Sequence, residues 1–173
     1  THVLRVEDTA RPKAVLWRGE SYLRGFLIAG MVLCGGLSFY VLWTHSPSNW
    51  DSSAYRFPRA LWYLQHGNLL HFAKEYYDPR PLYYPFNGAI LYVFMAIYQF
   101  GELAFTGVTF VAWCACGLGL YTTSRRLGAS FTGGLFSAFL GILTPAVLCQ
   151  ATSTNDEVLA ASGMLLALPF AVD

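Results

Sequence analysis

Apolar positions run almost unbroken through residues 25–43, 106–123, 127–149 and 158–172, and through a shorter stretch at 88–100. At about 1.5 Å of rise per residue, 25–43 is long enough to cross roughly 30 Å of hydrocarbon. The pattern therefore predicts helical spans at 25–43, 106–123 and 127–149, the last with a kink or end at Thr144-Pro145, and a further span at 158–172 that the end of the chain cuts short. The thirteen residues of 88–100 suit an interfacial or re-entrant helix better than a crossing one. The expected fold is all-α: a polytopic membrane protein of about four transmembrane helices, with interfacial helices in a long first external loop.

Residues 1–24 form a polar, basic leading segment, and 25–173 form the membrane module with its external loop at 44–105. Within that loop a helix is expected from about Phe57-Pro58, capped by Asp51 or Ser52, because proline is tolerated in a first turn. It would carry Phe57, Leu61, Trp62 and Leu64 on one side and Tyr55, Arg59, Tyr63 and His66 on the other, and end at a left-handed Gly67. That is the pattern of an interfacial amphipathic helix with an aromatic and cationic polar face. Tyr77-Asp78-Pro79-Arg80-Pro81 and Tyr84-Pro85 predict a stiff, irregular connection after it. Gly133, Ser137 and Gly141 recur at the four-residue spacing that lets membrane helices approach closely.

Composition agrees with the pattern. The chain is 55% hydrophobic and only 12% charged, which excludes an ordinary soluble domain. Its net charge of +1 offers nothing to a nucleic acid. The placement of charge is more informative. Arg5, Arg11, Lys13, Arg18 and Arg24 precede the first span, and Arg125 and Arg126 stand alone between later ones. If 88–100 does not cross, both groups fall on the cytoplasmic side, as the positive-inside rule requires. Asp51 and Asp156 then face the other side together. Arg56, Arg59, Lys74 and Arg80 also fall outside, against the rule, which points to binding of an anion. The first span lacks a cleavage site and reads as a retained signal-anchor. The chain starts without Met and stops inside an apolar run, so both ends look cut. Cys34, Cys114, Cys116 and Cys149 lie in apolar runs without metal-ligand spacing, and Cys114 and Cys116 point to different sides of a helix.

The candidate chemistry rests on the acids. Asp51 is either a helix cap or a base at the membrane face. Asp156 and Glu157 lie in Thr154-Asn155-Asp156-Glu157, which also reads as a capping box with acids favoured by the helix dipole. The loop arginines stand among tyrosines that include Tyr55, Tyr63 and Tyr84. Guanidinium groups suit a phosphate, and aromatic faces suit a sugar or an isoprenoid. His45, His66 and His71 lack the spacing of a ligand pair.

Trp50-Asp51-Ser52, followed by Tyr55, Pro58-Arg59, Trp62 and Gln65-His66-Gly67, resembles the first external loop of bacterial GT-C membrane glycosyltransferases. The similar branch is that of the protein mannosyltransferases (glycosyltransferase family 39-like) and the aminoarabinose transferase of lipid A. Arg125-Arg126-Leu127-Gly128 and the run from Pro145 through Gln150-Ala151-Thr152-Ser153-Thr154-Asn155-Asp156 resemble that branch's second cytoplasmic turn and second external loop. The likeness covers residues 25–173 and the N-terminal part of such enzymes. It implies a protein of the bacterial inner membrane, N-terminus inside, that takes sugar from a polyprenyl-phosphate donor and transfers it with inversion on the outer face. Asp51 matches the acid that activates the acceptor hydroxyl or positions a metal. Asp156 matches the acid that orients the acceptor or its partner groups. Tyr55, Arg56, Arg59, Arg80, Tyr84 and Glu157 become the expected substrate contacts. Arg56 stands where relatives often carry histidine, and Tyr84 where the aminoarabinose branch carries lysine, which leaves Arg80 for the phosphate.

Two function classes stay open at this stage. One is the transferase, for which the sequence demands no cofactor and tolerates a divalent cation at the acids. The other is a non-catalytic structural or assembly subunit of a larger membrane complex. A transporter is disfavoured because no internal repeat or broken-helix pair is visible.

Overall fold

The structure, a computed structural model, describes residues 18–46, 50–69, 87–98 and 100–172. These residues form α1 (Arg18–Thr44), a π-helical turn (Ser52–Arg56), α2 (Phe57–His66), α3 (Asn87–Ile97), α4 (Glu102–Arg126), α5 (Phe131–Leu143), α6 (Pro145–Gln150) and α7 (Asp156–Ala171). The all-α expectation holds. Among the described residues, two helices are long and apolar enough to cross a membrane, at Gly19–Thr44 and Leu103–Arg126. Their 26 and 24 residues would each extend more than 30 Å. The connection expected around Tyr77 to Pro85 lies outside the described residues.

α4 is the centre of the bundle, with α7 and α5 as its main neighbours and α1 lying across α5 and α4. Close approach depends on missing side chains. A Cβ at Gly119 would come within 2.7 Å of the Leu165 backbone, so α4 and α7 meet nearly backbone to backbone. The small-residue stripe on α5 is rotated by one position from the expected one. Gly141 does lie on α4, against Leu120, but Gly133 faces its own first turn and Gly134 packs on Tyr121 instead. Cys116 is buried and Cys114 exposed, as their spacing implied.

The expected span at 127–149 is two helices. Ser130 accepts a hydrogen bond from the Gly133 N–H and starts α5 only at Phe131. Thr144 then adopts an extended ψ of 126° ahead of Pro145, which disfavours the α conformation in the residue before it. The freed Ile142 carbonyl is taken by the Trp113 indole N–H at 2.9 Å. At 13 residues, α5 alone reaches only about 20 Å.

Side-chain contacts settle which elements share an end of the bundle. The Thr132 hydroxyl, at the start of α5, donates to Glu20 at 2.7 Å and accepts from Arg24 Nε at 2.7 Å. The turn carrying Arg125 and Arg126 therefore sits at the same end as the start of α1. At the opposite end the hydroxyls of Ser52 and Thr154 are 2.6 Å apart. α3 accordingly does not carry the chain from one end to the other. Phe57, Tyr92 and Phe105, with ring centroids 5.4–6.4 Å apart, join α2, α3 and α4 there.

Candidate functional site

The site grows from the helix expected in the first loop, which differs from expectation in two ways. First, it begins earlier. Trp50 and Asp51 are already helical, and the ladder passes through the π-turn directly into α2. Pro58 has no N–H for the carbonyl four residues back, at Ala54, and around this point the ladder opens into a π-turn with Phe57 N–H bonded to Ser52 O. Asp51 is thus inside a helical turn, at φ −64° and ψ −38°, and makes no capping hydrogen bond. The end is as expected: Gly67 stops α2 at φ 62°.

Second, the cationic face is turned inward. Arg59 and Tyr63 are only 2% and 3% exposed, and Arg56 6%, whereas Leu61 is exposed. The amphipathic pattern is real, but Arg59 and Tyr63 of its polar side are buried while His66 stays exposed, and the neighbouring Arg56 is met by carbonyl and carboxylate groups of a distant segment. His66 is stacked on Trp62 at 3.6 Å.

That segment is the entry to α7. A capping box was expected at Thr154-Asn155-Asp156-Glu157, and it does not form. Asn155 holds the N-cap position without a side-chain hydrogen bond. The Thr154 hydroxyl is engaged with Ser52, and the Thr154 carbonyl accepts from Arg56 Nη1 at 2.7 Å and from the Tyr92 hydroxyl at 2.9 Å. The Thr109 hydroxyl holds the Ser153 carbonyl at 2.6 Å. Asp156 forms a 2.5 Å ion pair with Arg56, whose other terminal nitrogen stands 3.5 Å from Glu157. A buried guanidinium thus binds the π-turn of one segment to the helix start of another.

Burial pushes the Asp156 carboxyl above the ordinary aspartate range, with the Arg56 charge opposing that push. Burial, followed by the negative charge of Asp156, likewise raises the Tyr92 phenol, so it stays protonated as a donor to Thr154.

Arg56, Asp156 and Glu157 are therefore brought together, and Arg59 is close enough to act electrostatically on Asp156. Asp51 lies at the same end, adjoining Ser52, but outside this cluster. It is half-buried and, among the described residues, makes no hydrogen bond or ion pair. Tyr55 lies in the π-turn, and Arg80 and Tyr84 fall outside the described residues. Among the described residues no three His, Cys, Asp or Glu side chains converge as a metal site. An apolar groove of about 410 Å³ is lined by Phe57, Ala60, Leu61 and Leu64 of α2 with Ser46, Ala96 and Phe105, and none of the cluster residues lines it.

Two contributors escaped sequence reasoning. Tyr92 is wholly buried, and its signal was a hydroxyl in the middle of the 88–100 apolar run. Gly88, at the head of that run, lies directly against the Asp156 carboxylate, where a Cβ would overlap it. Gly88→Ala should turn that carboxylate away from Arg56 and lower stability by about 1–3 kcal/mol. Thermal unfolding in detergent measures this. The cost should shrink when Asp156 is already alanine, because the two changes share one contact.

Comparison of the chain with protein families, curated proteins and solved structures finds no match. The functional reading therefore rests on the residues and their geometry.

Proposed function

We propose that this chain forms part of an integral membrane glycosyltransferase of GT-C type, which moves a sugar from a polyprenyl-phosphate donor to an acceptor hydroxyl. In this reading α1, α4, the α5–α6 pair and α7 cross the bacterial inner membrane, with the N-terminus inside. α2 and α3 lie at the outer face. One observation carries the proposal: two acidic segments a hundred residues apart meet at one end of the bundle, joined by Ser52–Thr154 and Arg56–Asp156.

The chemistry follows from the unequal states of the acids. The acceptor oxygen forms a bond to the anomeric carbon while the bond from that carbon to the phosphate oxygen breaks, which inverts the centre. Asp51, which makes no hydrogen bond or ion pair among the described residues, takes the acceptor proton. Asp156 is a positioning residue that holds Arg56. The departing polyprenyl phosphate needs its charge countered, which Arg56 and Arg59 supply from fixed positions. The groove beside Phe57 and Ala60 takes the first isoprene units.

A second reading, a membrane subunit without catalysis, is favoured by the same Arg56–Asp156 pair, which suffices as a structural tie. Transfer of labelled sugar from polyprenyl-phosphate donors to hydroxyl acceptors, assayed in membranes carrying the protein, separates the two. Donor-dependent transfer supports the enzyme. Its absence, with stable association to other membrane proteins, supports the subunit.

A further inference from the structure

Among the described residues, the Arg56 guanidinium meets two carboxylates of very different standing. Asp156 is 2.5 Å away, with its side chain 26% exposed and held between Arg56 and Gly88. Glu157 is 3.5 Å away and 65% exposed. The first contact is short and enclosed; the second is long and open to solvent. An exposed ion pair at that distance is weak and readily exchanged, whereas an enclosed one is costly to break.

We infer that Glu157 is a placeholder at an anion subsite, occupying the position that a phosphate ester group takes on Arg56 when ligand binds. Asp156 and the Thr154 carbonyl keep the guanidinium fixed throughout, so binding exchanges one anion for another without moving the arginine. Charge is conserved in that exchange. A phosphodiester carries one negative charge, as Glu157 does, and takes over that charge as the Glu157 side chain swings into solvent. This inference rests on the donor reading above and adds to it a competitor built into the site.

The test compares Glu157→Gln with the unaltered protein in detergent, using farnesyl phosphate and inorganic phosphate as separate probes at fixed ionic strength. Glutamine keeps the shape but removes the competing charge, and its exposed position leaves the fold intact. Farnesyl phosphate is expected to bind the variant about fivefold more tightly, with inorganic phosphate showing the same ratio at lower affinity. Equal or weaker farnesyl phosphate binding by the variant would overturn the placeholder while leaving the donor reading in place. A gain for inorganic phosphate with no farnesyl phosphate binding supports the anion subsite and removes the lipid-linked donor. Binding of neither probe by either protein overturns both.

Discussion

Arg56→Met is expected to lower the stability of the folded chain by about 3 kcal/mol or more, the cost of stranding one partner of a buried ion pair. The Arg56 side chain is 7% exposed and that of Asp156 26%, so neither is well placed to recover its hydration in the folded state. The loss is not confined to charge. Arg56 also donates to the Thr154 carbonyl, which then relies on Tyr92. Replacing both members, as Arg56→Met with Asp156→Leu, is expected to restore much of the stability, since a packed apolar pair removes the unpaired charge. Thermal or denaturant unfolding of the two single variants and the double variant in detergent reads this directly. Additive losses would mean that the pair contributes nothing as a pair.

Asp51→Asn is expected to slow sugar transfer by about 10² to 10⁴-fold, the range over which a positioned general base contributes. Its stability should change by no more than about 0.5 kcal/mol. Asp51 is half-buried, caps no helix and, among the described residues, forms no ion pair, so asparagine removes the proton acceptor and little else. Asp156→Asn provides the contrast, because it should lose stability and transfer together. Undiminished transfer by Asp51→Asn, measured as an initial rate at saturating acceptor, would assign the proton to another group.

How much of this was legible depended on whether the deciding partner was local. The long apolar helix α1, the stop at Gly67 and the divergence of Cys114 and Cys116 follow from hydropathy, a glycine φ and helical spacing, all local properties. The Thr144-Pro145 break was visible as a proline signal, but the late start of α5 depended on Ser130 capping, which the apolar run concealed. Periodicity located the two faces of α2 and could not say which was inside. An Arg and Tyr face normally seeks water, yet Arg59 and Tyr63 are buried, and just ahead of them Arg56 is met by the carboxylate and carbonyl groups of residues 154–157. The same long-range contact diverts Thr154 from the capping box. Gly88 and Tyr92 look like ordinary members of an apolar helix until Asp156 and Thr154 are set beside them.

In the proposed enzyme the acidic end of the bundle faces away from the cytoplasm and the arginine turn faces toward it. Single cysteines test this in a background where Cys34, Cys114, Cys116 and Cys149 are replaced. Ser53, Glu157 and Arg126 are all exposed and suit the purpose. With a membrane-impermeant maleimide on intact cells, Ser53→Cys and Glu157→Cys are expected to label at once, and Arg126→Cys only after permeabilisation. Labelling of Glu157→Cys solely from the cytoplasm, while Ser53→Cys reacts from outside, would contradict the shared site.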